Sequence, residues 1–440
     1  MTAVTGSSSE KPSLHRAWAI AASLFLGLPA LATFAGEAVA LPPPKSLKPA
    51  RAPSLARSCT ITPAELEPLF ASKAVPQQKQ EDEDSDENSD DDEDEDDDTI
   101  PGLILPGSAT CLSVSGTVSA GLQNDSIRAS RSVSLPQSSL TTFPTSANIR
   151  IATSHDLASG LRVGSAFSFT MQDPVDDVAG LTLDEATVLV GPWTFGLDTS
   201  RFSFWTGDEF IFSTRVPSRT VGLLAVELPL TESWVATLAM EDPALGTTSS
   251  LPVAAGRVPD GVARLVYQSG AWTLHGALAL RDIPGRHSRL GRAGILGVTY
   301  EAEMLGRPGS LTAQIAGAVD AAPYIGSQLD AAVVRTVLLG SDPTRGFSTA
   351  FVMHREWTDE IATNFYVSRY QLSVPLIDQA KGKISIDRAA ANLVWTPVEG
   401  LKAGIEASIA HARLSLTGRQ IAAGLAGRLI STQVFIERAF

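Results

Sequence analysis

The 440-residue chain carries 34 Lys and Arg against 48 Asp and Glu, a formal net charge of −14, and only two cysteines. That balance argues against a nucleic-acid binder, whose phosphate contacts need a basic surface. Two cysteines exclude a Cys-rich zinc module and permit at most one disulfide. The charge is uneven, with 8 basic and 19 acidic residues in 1–110 and 26 and 29 in 111–440, so the main body is nearly neutral.

The N-terminus reads as an export signal over residues 1–40. Lys11, His15 and Arg16 precede the apolar stretch Ala17 to Ala35, and Ala38-Val39-Ala40 offers a small-x-small cleavage site. After residue 41 no run of ~18 apolar residues follows, so no helix is expected to span a bilayer. Residues 41–103 read as a periplasmic extension. Pro42, Pro43, Pro44, Pro49 and Pro53 mark an extended linker, and Glu81 to Asp98 holds 15 carboxylates in 18 residues. Such a run repels itself and buries nothing, which predicts disorder. Calcium-loop spacing with a turn glycine is absent from it.

From residue 104 to 440 the pattern predicts an all-β fold, a transmembrane antiparallel β-barrel of about sixteen strands. Leu112, Val114, Val118 and Leu122 alternate with Ser113, Ser115, Thr117 and Ser119. The same two-residue period recurs at Leu161–Met171, Trp272–Arg281 and Leu401–Ile409, in strands of about ten residues or more, as a tilted membrane strand requires. Connectors alternate short and long. Short ones include His155–Ser159, Gly191-Pro192, Ser269-Gly270 and Thr396–Gly400; long ones include Asp173–Thr182, Thr199–Thr220, Asp242–Asp260 and Ala321–Arg345. Short turns on the periplasmic rim and long loops outside are the pattern of an outer-membrane barrel. Trp193, Trp234, Trp272, Trp357 and Trp395 all fall beside short turns, which predicts an aromatic girdle on that rim. A secreted soluble β-sandwich is the competing fold.

No nucleophile-elbow, zinc-protease, phosphate-loop or dinucleotide motif is present, and His155, His275, His287, His354 and His411 lack ligand spacing. No enzymatic activity, cofactor or metal is expected. A barrel of this width is too wide for its side chains to fill, so its lumen should hold water. The third long loop contains Phe202, Phe204, Trp205, Phe210, Ile211 and Phe212, too apolar for a loop in solvent, together with Arg201, Asp208, Glu209, Arg215 and Arg219. Folded inward, its apolar residues would pin it and its charges would line a constriction, with Arg150 and Arg162 facing them from the wall. Arg281, Arg286, Arg289 and Arg292 read as a solvated loop, with contact to lipid phosphates as the alternative. The final strand ends on Arg438 and Phe440, the aromatic that the outer-membrane insertion machinery would read.

These features resemble the alphaproteobacterial porin family. The segment Ile104 to Gly116 (ILPGSATCLSVSG) is similar to that family's entry into its first strand, Phe195-Gly196 through Phe204 to its strand before the third loop, and Trp234–Pro243 (WVATLAMEDP) to its fsatlslEdp stretch. Leu393-Val394-Trp395-Thr396-Pro397-Val398 and Arg438-Ala439-Phe440 match its turn and its ending. The resemblance implies a homotrimeric porin in outer-membrane lipid, passing small hydrophilic solutes and ions by passive diffusion. It also implies a Cys59–Cys111 disulfide in an oxidising compartment. In the family a short segment separates the two cysteines; here 51 residues intervene, including the acidic run. A non-conducting barrel serving as adhesin or envelope anchor is the alternative. If the acidic run concentrates cations at the inner mouth, deleting Glu81–Asp98 should shift the reversal potential in planar bilayers toward anions; an identical potential would remove the run from any electrostatic role.

Overall fold

The structure is a computed structural model that describes residues 58–61, 100–104, 109–129, 138–173, 180–212, 214–243, 258–283, 289–327, 343–376, 380–419 and 422–440. The export signal, most of the Pro-rich linker and the acidic run lie outside the described residues.

The strands are β1 (Ser58–Ile61), β2 (Ile100–Ile104), β3 (Cys111–Ala129), β4 (Ser138–Thr142), β5 (Thr145–Asp156), β6 (Arg162–Asp173), β7 (Leu181–Val190), β8 (Trp193–Thr199), β9 (Thr220–Thr231) and β10 (Trp234–Glu241). They continue as β11 (Asp260–Ser269), β12 (Trp272–Ile283), β13 (Arg289–Glu303), β14 (Pro308–Val319), β15 (Arg345–Glu356), β16 (Ile361–Pro375), β17 (Lys381–Val398), β18 (Leu401–Thr417) and β19 (Ala422–Ala439). From β5 onward each strand pairs antiparallel with the next, and β19 returns to pair with β3, so the sheet closes. Counting β4 as the outer continuation of β5, both paired to β3, the barrel has 16 strands. Phe143 and Pro144 interrupt that strand because proline has no N–H to donate to the ladder.

Side-chain alternation sorts the two faces. On β3, Val114, Val118 and Leu122 are exposed on the outside while Ser113 is buried within. On β12, Trp272, Leu274, Leu278 and Leu280 face outward, and His275, Ala277, Ala279 and Arg281 face inward. A soluble sandwich would bury the apolar face; here it is the outer surface, which makes this a membrane barrel. The short turns gather on one rim. Gly191 (φ 54) and Gly270 (φ 52) supply the left-handed backbone that tight hairpin turns need. All five tryptophans expected on that rim sit there, exposed on the outer surface.

Closure is completed at the C-terminus. Gly116 and Phe440 exchange both backbone hydrogen bonds at 3.0 Å. The Phe440 ring lies over Gly116, where a Cβ would come within 2.8 Å of its Cζ. Arg438 is held beside it, its guanidinium donating to the Glu399 carbonyl at 2.7 Å. Below this point the first residues of β3 pair with β2, which pairs with β1. Two short segments, one inside the extension and one at its end, therefore form a hairpin. The Cys59–Cys111 disulfide fastens that hairpin, with Cα atoms 6.0 Å apart, and Gly102 leaves room for it, since a Cβ there would lie 2.8 Å from the Cys111 sulfur.

Leu278, two-thirds exposed in the middle of β12, tests the assignment of the faces. Leu278→Arg should cost about 2–4 kcal/mol in folding into lipid vesicles, read by denaturant titration, whereas a cost near zero would mean that this face does not meet acyl chains.

Candidate functional site: the inward-folded third loop

The connection between β8 and β9, residues 200–219, leaves the rim and runs down inside the barrel. Its base is closed by the Ser200 N–H donating to the Arg219 carbonyl at 2.9 Å. There Glu241, fully buried at the end of β10, accepts from the Ser200 hydroxyl (2.8 and 2.9 Å), the Arg201 N–H (2.9 Å) and the Tyr324 hydroxyl (3.1 Å). A carboxylate this deep is tolerable only because its lone pairs are occupied.

Further along, Phe202 packs edge-on to Tyr324 with ring centroids 5.1 Å apart, and its carbonyl faces His275 at 3.3 Å. Phe204 lies flat on Gly297 of β13, whose missing side chain makes the space. The Gln314 amide brackets Trp205, accepting from its N–H and donating to its carbonyl, each at 3.1 Å. Phe210 and Trp205 then clasp the Tyr366 ring, at 4.5 and 5.6 Å. Glu406 of β18 accepts from the backbone N–H groups of Ile211 (2.9 Å) and Phe212 (2.8 Å), and Tyr366 donates to the Phe212 carbonyl at 2.6 Å. Asn392 of β17 donates to the Glu209 carbonyl at 2.8 Å, and the Thr214 and Ser368 hydroxyls meet on the return. The loop is thus hydrogen-bonded in sequence to β10, β14, β16, β17 and β18.

A second inward segment covers its back. After β14 the chain makes a 3-10 turn, Ala322–Ile325, all of it buried. Gly326 (φ 84) lies so close to Val216 that a Cβ would fall 2.6 Å from the Val216 carbonyl oxygen. Tyr324 donates to Asp260 (3.0 Å) as well as Glu241, and burial with the nearby Glu241 charge pushes its pKa up, so it stays a donor. The two segments and the inward residues of the wall form two apolar clusters, one around Phe202, Tyr324 and Ile325 and one around Trp205, Phe210 and Tyr366, with Phe204 packed against both. The opposite wall, β3 to β7 with β18 and β19, presents Ser113, Ser408, Ser431, Gln433 and the Arg150–Glu185 pair.

The sequence-predicted charges fall into distinct places. Arg201 is buried, with its guanidinium 3.1 Å from Asp198 and 4.0 Å from Glu227. Glu227 in turn accepts from Arg264 at 2.8 Å. Arg219 donates to the Asp242 carbonyl at 2.6 Å and lies 4.9 Å over the Tyr324 ring. Arg215 is half-buried, and desolvation lowers its pKa. Asp208 and Glu209 are the exposed charged residues of the loop. Asp208 accepts from Thr206, and Glu209 from the Trp205 indole at 2.9 Å. Arg150 of β5 pairs with Glu185 of β7 at 2.8 Å on the polar wall. Arg162 stands apart at the short-turn end of β6, paired with Asp156 at 3.0 Å. Arg281 departs from the solvated-loop expectation. It points inward, 2% exposed, 3.6 Å from Asp260 and donating to the Pro243 carbonyl at 2.6 Å, because it sits on the lumen parity of β12. Arg292 lies exposed on β13, on the outward parity shared with Leu290 and Leu296, and Arg286 lies outside the described residues. Sequence reading missed the anchors Glu241, Glu406, Gln314, Tyr366 and Gly297. Their signal is faint: a carboxylate or a glycine on the inward parity of a strand.

Among the described residues, no three His, Cys, Asp or Glu side chains gather as a metal would require. No family profile and no curated protein matches the chain. Solved structures do. The chain is similar to the outer membrane channel DcaP of Acinetobacter baumannii, with a TM-score of 0.58 at 12% identity, covering 76% of this chain and 98% of that one. It is also similar to an anion-selective porin from Comamonas acidovorans, with a TM-score of 0.50 at 13% identity over 75% of this chain and all of the other. At such identities the likeness is one of fold: a porin-like β-barrel.

Gly297→Val would drive a side chain into the seat of Phe204. An overpacked seat costs about 1–3 kcal/mol, and the loop should lift, exposing Trp205 to aqueous iodide. Tryptophan quenching in liposomes should rise relative to the unmodified protein; unchanged quenching would show that Phe204 does not hold the loop.

Proposed function

We propose that the chain is an outer-membrane porin, a trimeric member of the alphaproteobacterial porin family, through which small hydrophilic solutes and ions diffuse passively. The observation that carries this reading is the third loop: it lies across the lumen with Asp208 and Glu209 exposed, opposite a wall of serines, Gln433 and the Arg150–Glu185 pair. A loop that only plugged the barrel would have no reason to leave two carboxylates exposed to solvent. Arg201 and Arg219 are engaged at the loop's base, so the charge that the loop itself exposes to the lumen is negative, which favours cations. This differs from the anion selectivity of the Comamonas acidovorans porin, and it is a property of these residues rather than of the fold. Trimer formation and insertion guided by Phe440 follow from the same family reading.

The test is conductance of the purified full chain in a planar bilayer under a salt gradient. Stepwise insertion with cation preference is expected, and an absence of steps would favour the adhesin or anchor reading. Asp208→Asn with Glu209→Gln should move the reversal potential toward anions; no movement would take these residues out of the constriction.

A further inference from the structure

The outer surface carries a second feature, unrelated to the lumen. Tyr366, Tyr370 and Leu372 of β16 pack inside, so Arg369 points out, and the residues paired with it across the sheet share that face. They run Thr349, Arg369, Asp387, His411, Arg428, Arg128 from β15 to β3. Closer to the long-loop rim, the same face shows Arg345, Lys383 and Arg413. Among the described residues of this face, Asp387 is the acid. It lies 3.6 Å from Arg369 and 3.9 Å from Arg413, and the two guanidiniums keep about half or more of their side-chain surface exposed. It thereby sets two arginine forks side by side without occupying either.

The height of this patch matters. Arg369 lies eight residues from Ile361, the short-turn end of β16, and Asp387 eleven residues from Val398, the end of β17. At ~3.3 Å per residue and a tilt of about 40°, that is roughly 20–28 Å, the thickness of the apolar band. Below the row the face is apolar, with Phe365, Val367, Leu393 and Ile405 exposed. The patch therefore stands where acyl chains end and outer-leaflet head groups begin.

The short-turn rim is dressed differently. Its arginines are engaged within the protein: Arg355 over Trp357 at 4.1 Å, Arg307 with Asp359 at 2.6 Å, and Arg438 on the Glu399 carbonyl. Elsewhere on the long-loop rim the outward residues are mainly apolar, such as Met171, Leu181, Met240 and Leu290. A basic face also repels a second copy of itself, so its complement is an anion.

We propose that the outer face of β15–β19 and β3, centred on Arg369, Asp387 and Arg413, binds the phosphate groups of an outer-leaflet glycolipid. Planar guanidinium forks match phosphate oxygens in pairs, while the aliphatic stems lie along the apolar strands beneath. The site needs the barrel in its membrane but not an open pore, so it stands or falls apart from the conductance reading.

The experiment uses the full-length protein in detergent with two probes, a diphosphorylated lipid A-type glycolipid and its dephosphorylated form, and bound lipid is counted by native mass spectrometry. The phosphorylated lipid should bind about tenfold or more tighter, binding should weaken as salt rises, and Arg369→Gln with Arg413→Gln should erase most of that preference. Equal binding of the two lipids, or a variant that keeps the preference, overturns the proposal. Folding of the variant is checked by its heat-modifiable mobility in gels; if it does not fold, salt-insensitive binding by the unmodified protein decides against the site. A variant that alters oligomeric state while keeping lipid binding would reassign the face to a second copy of the chain.

Discussion

A backbone N–H or C=O left unpaired in hydrocarbon costs several kcal/mol, so a sheet that crosses a bilayer must have no edge. That constraint organises the whole barrel. It requires β19 to find β3 from the far end of the barrel sequence, in a register that runs from Gly427 opposite Ala129 to Ala439 opposite Thr117. It also explains the treatment of the seam. Phe440 extends the pairing by one residue and lays its ring over Gly116, and the start of β3, which overhangs the end of β19, is covered by β2 instead. The disulfide from Cys59 to Cys111 then fastens that cover to the barrel.

Closure creates a lumen, and the lumen is divided by residue size. From β9 to β16 many inward positions are small or apolar, including Ala225, Ala277, Ala279 and Ala316, and against them the third loop and the Ala322–Ile325 turn build a core. That core resembles the interior of a soluble protein placed inside a membrane one. Hydrophobic burial alone is non-directional and would not fix where the loop tip rests. The direction comes from polar anchors, Glu241 at the base and Glu406 across the barrel, each accepting from loop backbone N–H groups. Hydrogen bonds to a charged acceptor are worth about 1.5–3 kcal/mol each, and a buried carboxylate that lost them would be left uncompensated. The loop's position is therefore set by a small number of charged anchors, each costly to break, within a larger apolar contact.

Much of this was legible from residues alone. The two-residue alternation, the short-long rhythm of connectors and the tryptophans beside short turns gave the strand number, the faces and the rims, because lipid contact imposes its pattern on every strand. The apolar content of the third loop pointed inward for the same reason. Its charges were harder to place. Arg201 and Arg219 look equivalent to Asp208 and Glu209 in the sequence, but the first two sit at the loop's base beside acids from β9, β10 and β11, while the others occupy its tip. Arg281 stands at the edge of a loop rich in arginine, but its parity on β12 aims it inward. Contacts such as Glu406 to Ile211, separated by 195 residues, depend on how the barrel curves, which no local pattern records.

The two rims differ in a way that the fold itself does not require. A closed sheet would be equally satisfied with tryptophan or arginine at either end. Indole rings suit any lipid–water boundary, because they need only an apolar body and one donor; this chain places them on the short-turn side and ties its nearby arginines to its own groups. On the other rim the long strands β17, β18 and β19 lift a cluster of open guanidiniums to the edge of the apolar band. Like charges gathered on one face repel each other, and Asp387 offsets only part of that repulsion. A cluster of this kind is a local cost to the isolated protein, and it becomes favourable once anions stand opposite. The asymmetry of the barrel surface thus mirrors an asymmetry in the bilayer around it, with one leaflet met by aromatic rings and the other by positive charge.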